Sequence, residues 1–544
     1  MTERRPFAIT LDVGSSLANL TGTWRTERPV YVHRLPPCSA ACPAGEDIQG
    51  WLYHAEEGDY ESAWRAIMER NPLPAIMGRA CFHPCESACN RVQVDEAVGV
   101  NAVERFLGDL ALERGWRIEP GPDTGRRVAV VGSGPGGLSA AYHLRRRGHA
   151  VVVFEAQADL GGMMRYGIPA YRLPRDVVDA EVARLAEMGV RFEVNHWVDD
   201  VNALLAKGFD AVVVAVGAQR GRDPGIPAGD AARILDAVGV LRSLEEGDPP
   251  SLGRRVIVYG GGDTAMDAAR TATRLGATET VVVYRRTRDV MPAHDEEVLD
   301  AEAEGVQMRW LSTISRSDEG RAVIEIMTLD DEGRAVGTGQ FEEMEADTVV
   351  LALGQEADLS LLDSAAQVHV SDGVVHCDEH QRTGDPRIIV VGDASANGAD
   401  SRTLTRAIGQ GRLGADAIDA LFEGREAQVD SPRAPASFDR LNTWYYSDAE
   451  RTVRPRLEVA RRRDTFSEVV GGLSVDDALF EARRCMSCGN CFECDNCFGV
   501  CPDNAVIKLG AGEGYAFNYD YCKGCGICVA ECPCGAIDLV PEPR

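Results

Sequence analysis

Apolar positions along this chain follow two rhythms. Within residues 1–125 they recur at helical spacing, as in Ile48–Glu57 and Tyr60–Glu69, where one helix face would be buried. From Arg126 onward short apolar runs take over, each ending in glycine. Arg127–Val131 runs into Gly132, Arg255–Tyr259 into Gly260, and Ile388–Val391 into Gly392. A helical pattern follows each turn, so strand, turn and helix recur, and the first two units predict two related α/β domains. The expected boundaries are 1–125 for a helical N-terminal domain, 126–224 and 353–425 for two parts of a first nucleotide-binding domain, and 225–352 for a second. Residues 426–480 have weak periodicity, with Pro432, Pro435 and the basic run Arg461–Arg463, and are expected to be a linker with some helix. Residues 481–544 form a separate terminal unit.

The first turn reads Gly132-Ser133-Gly134-Pro135-Gly136-Gly137, and a second strand, Ala150–Phe154, ends at Glu155. This is G-x-G-x-x-G with an acid some twenty positions on. Gly132 allows the tight turn, Gly134 lets the backbone approach a pyrophosphate, and Gly137 lets helix and strand pack closely. The helix N-terminus offers unpaired N–H groups to the phosphates. Glu155 would accept hydrogen bonds from the adenosine ribose. Gly161-Gly162 follow closely. A glycine pair there resembles the FAD-binding half of two-dinucleotide flavoproteins. The later Gly392-Asp393 resembles their closing FAD motif, in which the aspartate meets the ribityl chain and the next helix start, Thr405 to Ile408 with Ala407, reaches the flavin ring.

The second turn reads Gly260-Gly261-Gly262-Asp263-Thr264-Ala265, with alanine in place of the third glycine. Its second strand, Thr280–Tyr284, ends not in an acid but in Arg285 and Arg286. A carboxylate there would repel a 2′-phosphate, whereas guanidinium groups bind it through charge-assisted hydrogen bonds. The site therefore reads as NADP(H). No redox-active C-x-x-C stands beside either turn, which argues against a disulfide reductase, and no substrate base is evident.

Net charge is −28 over 544 residues, a poor match to nucleic acid or anionic membrane. Met1–Thr10 has charges but no apolar core, and no run is long enough to span a membrane, so a cytoplasmic chain without membrane insertion is expected. Seventeen cysteines change the picture, because all but Cys377 cluster near the chain ends at metal-type spacing. Cys491, Cys494, Cys497 and Cys501-Pro502 form one C-x-x-C-x-x-C-x-x-x-C-P run; Cys522, Cys525, Cys528 and Cys532-Pro533 form another. Paired runs of this kind are the bacterial two-cluster ferredoxin pattern, in which the fourth cysteine of each run ligates the other cluster. The expected sets are Cys491, Cys494, Cys497 with Cys532, and Cys522, Cys525, Cys528 with Cys501. Cys485 and Cys488 continue the spacing upstream, so a register using Cys485, Cys488 and Cys491 is the alternative. The preferred register keeps the three-residue gap before Cys501-Pro502 and leaves Cys485, Cys488 and Cys534 as spare thiols. Zinc would need one tetrahedral set per ion and fits less well.

Cys38, Cys42-Pro43-Ala44, Gly78-Arg79-Ala80-Cys81, Cys85 and Cys89, with Tyr166-Gly167-Ile168-Pro169, Arg172-Leu173-Pro174 and the two turns, carry a family resemblance. Over roughly residues 30–425 the chain resembles the small subunit of NADPH-dependent glutamate synthase and the N-terminal half of dihydropyrimidine dehydrogenase. The tail resembles that of extended members. The resemblance implies a two-dinucleotide-binding flavoprotein of α/β class, with two Rossmann-like domains, an N-terminal helical iron–sulfur domain and a C-terminal α+β ferredoxin-like domain. It adds Arg172 to the cofactor-contacting positions. It also implies two N-terminal 4Fe–4S clusters, but the first normally takes two further cysteines at positions held here by Val30 and His33. That cluster is expected to be missing or altered, with Cys38 and Cys89 left behind. The second would use Cys42, Cys81 and Cys85, completed either by Glu104, where a relative has glutamine, or by Cys38 or Cys89, with Glu104 a surface acid.

The expected function is electron transfer between NADPH, FAD and 4Fe–4S clusters, two C-terminal and one N-terminal. The partner would be ferredoxin or a ferredoxin-linked enzyme such as a 2-oxoacid:ferredoxin oxidoreductase, within a hetero-oligomer. The alternatives are the glutamate synthase small subunit proper, against which the appended tail weighs, and a non-enzymatic relay subunit.

Overall fold

The computed structural model describes residues 20–229, 232–397, 402–427 and 433–543. The reading of Met1–Thr10, and Pro432, fall outside these residues.

Two five-stranded parallel sheets carry the centre of the chain. The first has Arg127–Val131 in the middle, flanked by Ala150–Phe154 and then Arg191–Glu193 on one side, and by Ala211–Val214 and then Ile388–Val390 on the other. Val128, Ala129 and Val130 are wholly buried, as expected of a strand covered on both faces. The second sheet runs Gln307–Arg309, Glu279–Val283, Arg255–Tyr259, Thr348–Leu351, Ile234–Asp236. It is built entirely between the fourth and fifth strands of the first. A three-stranded antiparallel sheet, from Ser312–Asp318 to Ala335–Glu345, is attached to it.

Helix Leu404–Glu423 lies along helix Pro135–Arg146 behind the first sheet. The approach is close at Gly411, where an added Cβ would stand 2.4 Å from the Gly136 carbonyl oxygen. Thr403 caps the long helix by accepting the Arg406 N–H at 3.2 Å. Gly424, at φ +66°, ends it in the left-handed turn that glycine tolerates.

The N-terminal region is mostly helical but begins with a strand, Glu27–Tyr31. This strand pairs antiparallel with Ile537–Pro541 at the far end of the chain, Val30 facing Asp538. Arg25 Nη2 reaches Glu542 at 2.8 Å, and Tyr519 Oη–H donates to the Pro29 carbonyl at 2.8 Å. The Tyr31 ring stacks on Phe517 with centroids 4.7 Å apart. The two chain ends are therefore one structural unit. The alternation of Glu27–Tyr31 is too short to announce a strand whose partner is some 500 residues away.

The expectation of a linker at 426–480 needs correction. Its described part is a strap fastened to every neighbour. Leu35 N–H donates to the Ala434 carbonyl (2.8 Å), Asn442 N–H to the Pro533 carbonyl (3.1 Å), and Val469 N–H to the Tyr171 carbonyl (2.9 Å). Glu468 pairs with Arg79 and Arg105, and Arg456 with Asp300. Weak periodicity reflects an extended path held by backbone hydrogen bonds and ion pairs rather than by one apolar face.

Helix Val475–Arg483 packs on helices Ile48–Glu56 and Val100–Arg114 and is locked by Arg484, only 2% exposed. Its guanidinium donates to Glu481 (2.5 Å), to the Ala97 and Ala449 carbonyls (2.9 and 3.0 Å) and to Asp95 (3.1 Å). Removing one partner of a buried ion pair typically costs about 3–5 kcal/mol. Arg484→Met is accordingly expected to lower thermal stability and expose the tail to protease. A melting curve and cleavage pattern like those of the unsubstituted protein would contradict this arrangement.

Candidate functional site

A cavity of about 530 Å³ opens at the C-terminal ends of the first sheet's strands. That is the position at which open α/β sheets bind nucleotides. Gly132, Gly134, Pro135 and Gly136 line it from the first turn, and Gly162 and Arg172 from the segment that follows. Gly392, Asp393 and Ala407 close it, and Asp263 and Thr264 enter it from the second turn. One continuous space thus reaches from the first turn to the second.

The turn glycines divide by role. A Cβ on Gly137 would lie 2.0 Å from the Gly132 oxygen, so this residue serves helix–strand packing and does not line the cavity. Nothing lies within 4 Å of a Cβ built on Gly134, or on Gly262 at the same place in the second turn. Each offers bare backbone to an open cradle, which fits a pyrophosphate at both turns. Gly161 and Gly162 both have positive φ, and Gly162 packs against the Gly134 backbone. Gly260 takes the second turn's sharp bend beneath Ala352, and Ala265 is fully buried.

Glu155 is 7% exposed and lines the cavity. Its Oε2 already accepts from Ser133 N–H (2.9 Å) and Ser133 Oγ–H (2.6 Å), and Oε1 from Gln157 N–H (2.9 Å). The carboxylate is thereby aimed before any ligand arrives. Gly392 N–H donates to Gln410 Oε1 at 2.8 Å, and burial raises the Asp393 carboxyl while Arg402 opposes the shift.

Four residues sit differently from expectation. Thr405 was expected at the flavin ring. Helical spacing turns it away while Leu404 and Ala407 line the cavity, and its Oγ1–H points to Cys81 Sγ at 3.1 Å. Arg172 lines the cavity but is committed to two carboxylates on the second unit, Asp267 (2.7 Å) and Glu297 (2.9 Å). It fastens the units together there. Arg285 and Arg286 follow strand Glu279–Val283 outside the cavity lining. Among the described residues neither has a carboxylate partner, and the Arg286 Nε lacks any hydrogen bond.

Sequence reasoning missed the junction between cavity and N-terminal region. Ala80 and Phe82, on either side of Cys81, line the cavity. The Phe82 ring stacks on His294, centroids 3.5 Å apart, and His294 Nδ1 pairs with Asp263 at 3.0 Å. No spacing rule links Phe82 to His294; the contact exists only because the strap and Arg172 hold the units together.

The cysteines separate into sets. Cys42, Cys81 and Cys85 are raised by burial; Glu104 raises all three, and Cys85 also feels Cys81 and Cys42. Glu104 is buried, not a surface acid, and is raised well above the usual carboxylate range by burial and by Glu46. Asn71 Nδ2 bridges the two carboxylates at 2.8 and 3.0 Å. Cys38 and Cys89 do not join this set; Cys38, pushed up to about 12 by burial, feels Cys89 and Cys488. In the tail, Cys491 feels Cys497, Cys532 and Cys494, while Cys528 feels Cys522, Cys525, Cys497 and Cys501, so the two sets adjoin at Cys497. These thiol-rich sets, with Glu104 beside the N-terminal one and Arg25 beside Cys522 in the tail, fit soft iron–sulfur groups.

A family model described as pyridine nucleotide-disulphide oxidoreductase matches residues 126–411. The chain belongs to that family. Residues 25–116 match the model of dihydropyrimidine dehydrogenase domain II, 4Fe-4S cluster, and residues 515–538 match a 4Fe-4S binding domain. The chain is 35% identical over 508 residues to the NADP(+)-dependent formate dehydrogenase subunit beta of Moorella thermoacetica, covering 83% of this chain and 70% of that one. It is 31% identical over 520 residues to the putative oxidoreductase YgfK of Escherichia coli O157:H7, covering 91% of this chain but 48% of that one. It is 36% identical over 357 residues to the glutamate synthase (NADPH) small chain of Azospirillum brasilense, covering 60% and 73%. With the matched domains, the chain is an NADPH-linked oxidoreductase with FAD and 4Fe–4S clusters. Among the described residues no helix is long and apolar enough to cross a membrane.

The 2.0 Å clash at Gly137 supplies a test. Gly137→Ala is expected to retain flavin at least about tenfold less well, since 1.4 kcal/mol already gives that factor, while the tail keeps its iron. Bound flavin per chain after gel filtration measures it; full flavin would contradict the packing role.

Proposed function

We propose that this chain is the NADPH-linked input subunit of a larger electron-transfer enzyme, delivering single electrons to a ferredoxin or a ferredoxin-linked partner subunit. FAD, when bound, supplies the conversion of a hydride pair into single electrons, which clusters alone do not perform. The observation that carries the reading is the Thr405–Cys81 contact. The helix whose Leu404 and Ala407 line the flavin cavity also hydrogen-bonds a cysteine of the N-terminal set.

The residues divide the work. Gly134, Pro135 and Gly136 offer backbone to the FAD pyrophosphate, Glu155 meets the ribose, and Asp393 meets the ribityl chain. Gly262, Asp263 and Thr264 cradle the NADPH pyrophosphate, and Arg285 and Arg286 take the 2′-phosphate. Cys42, Cys81, Cys85 and Glu104 hold one 4Fe–4S cluster. Cys491, Cys494, Cys497 and Cys532 hold a second, and Cys501, Cys522, Cys525 and Cys528 a third. None of the seventeen cysteines is paired in a disulfide, which suits a reducing compartment such as the cytoplasm. Similarity to a formate dehydrogenase subunit and a glutamate synthase small chain supports a role within a hetero-oligomer. A 2-oxoacid:ferredoxin oxidoreductase is a further partner type of matching chemistry.

These two arginines, which have no carboxylate partner, give the test. Hydrogen bonds to charged groups contribute about 1.5–3 kcal/mol each. Replacing either Arg285 or Arg286 singly with alanine is expected to raise KM for NADPH about 10- to 100-fold, leaving kcat and the NADH reaction nearly unchanged, in a dye-reduction assay. An unchanged NADPH KM would overturn the assignment.

A further inference from the structure

Cys485 and Cys488, expected to be spare, lie with Cys38 and Cys89. Cys38 opens the short helix Pro37–Ala41, and Cys89 follows helix Pro84–Ser87, which packs against it. The loop after helix Val475–Arg483 is bolted to the residues flanking both. Arg34 N–H donates to the Gly489 carbonyl (3.1 Å), and Asn490 Nδ2 donates to the Arg34 carbonyl (3.3 Å). Arg91 Nη1 donates to the Arg484 carbonyl (2.7 Å), and Gln49 Nε2 to Ser487 Oγ (3.3 Å). Cys38, Cys89 and Cys485 pack against one buried apolar cluster with Ile48, Leu52 and Ala482, and Cys488 lies between Ser487 and Gly489, which are bonded to Gln49 and Arg34.

The shape of the loop is the second observation. In Cys522-Lys523-Gly524-Cys525-Gly526 the two glycines have φ of +73° and +75°. In Cys491-Phe492-Glu493-Cys494-Asp495 the same two places are Glu493 at +58° and Asp495 at +67°. In Cys485-Met486-Ser487-Cys488-Gly489 they are Ser487 at +46° and Gly489 at +76°. Left-handed backbone at a non-glycine residue costs energy, and it persists where the surroundings over-determine it. Three loops share this shape, and two of them belong to the ferredoxin pattern. Backbone N–H groups also point at sulfur in the same manner: Ser487 N–H at Cys485 (3.4 Å), Ala505 N–H at Cys501 (3.2 Å) and Ala536 N–H at Cys532 (3.3 Å).

Among the described residues no three His, Cys, Asp or Glu side chains converge closely enough to hold a single metal ion. Bonds of about 2.3 Å in a tetrahedron would bring thiolates within about 3.8 Å of one another.

We propose that Cys38, Cys89, Cys485 and Cys488 hold a fourth 4Fe–4S cluster, with two ligands from each end of the chain. Each thiol gives up its proton as its iron bond forms. Cys485 and Cys488 thereby supply the thiolates that Val30 and His33 lack. Cys38 is four residues from Cys42, and Cys488 is three from Cys491, so this cluster connects the N-terminal set to the tail. The inference rests on the iron–sulfur reading of the chain, and its test separates the two.

Native mass spectrometry and iron analysis of the anaerobically reconstituted full chain are expected to find four clusters and about sixteen irons. Cys485→Ser/Cys488→Ser, and separately Cys38→Ser, are each expected to lose one cluster, or about four irons, and keep flavin; Cys377→Ser should lose none. Three clusters in the unsubstituted chain, unchanged iron in both variants, or zinc at the site would overturn the fourth cluster while leaving the three-cluster reading intact. Two clusters or fewer would overturn both. If the double variant fails to fold, the unsubstituted count and Cys38→Ser decide.

Discussion

The antiparallel pairing of Glu27–Tyr31 with Ile537–Pro541 is the constraint on which the electron path depends. Without it, the N-terminal cysteines and the ferredoxin tail would be separate units joined by a long strap. With it, the tail is held against helix Pro37–Ala41, which carries Cys38, and the turn at Cys89. Arg25–Glu542, Arg34–Asp538 and the Tyr31–Phe517 stack secure the seam, and Arg484 secures the helix before Cys485. Ion pairs buried to this degree contribute little net energy compared with apolar packing. What they specify here is which loop meets which.

A second junction lies where the flavin cavity meets the N-terminal set. Arg172 holds the second nucleotide-binding unit through Asp267 and Glu297, and the Phe82–His294 stack closes the same corner. Cys81 sits between two cavity-lining residues and receives the Thr405 hydroxyl. Hydrogen bonds to cluster sulfurs are among the factors that set reduction potential. Thr405 would therefore act on a cluster held by Cys81 from outside the cavity lining, a different role from the ring contact its neighbours suggested.

Much of the fold was legible because it is local. Strand, glycine turn and helix lie within thirty residues of one another, so the first and second nucleotide-binding units could be read from Gly132–Gly137 and Gly260–Ala265. The sheet order adds that the second unit is built wholly between Ala211–Val214 and Ile388–Val390. The tail's cysteine runs were legible for the same reason. What could not be read is long-range. Cys485 and Cys488 carried the right spacing but no sign of their partners some 400 residues earlier. Whether Glu104 completes the Cys42 set or is a surface acid could not be read until its buried neighbours Asn71 and Glu46 were known. The strap at 433–480 has no periodicity because its partners are scattered over three other regions.

The central claim is that flavin and clusters form one conduit within a single chain. The most direct measurement is an anaerobic titration with NADPH that counts the electrons taken up per bound flavin. Flavin alone holds two electrons. The account predicts that uptake continues beyond two, with loss of the broad iron–sulfur absorbance. A titration that stops at two, with that absorbance untouched, would contradict it.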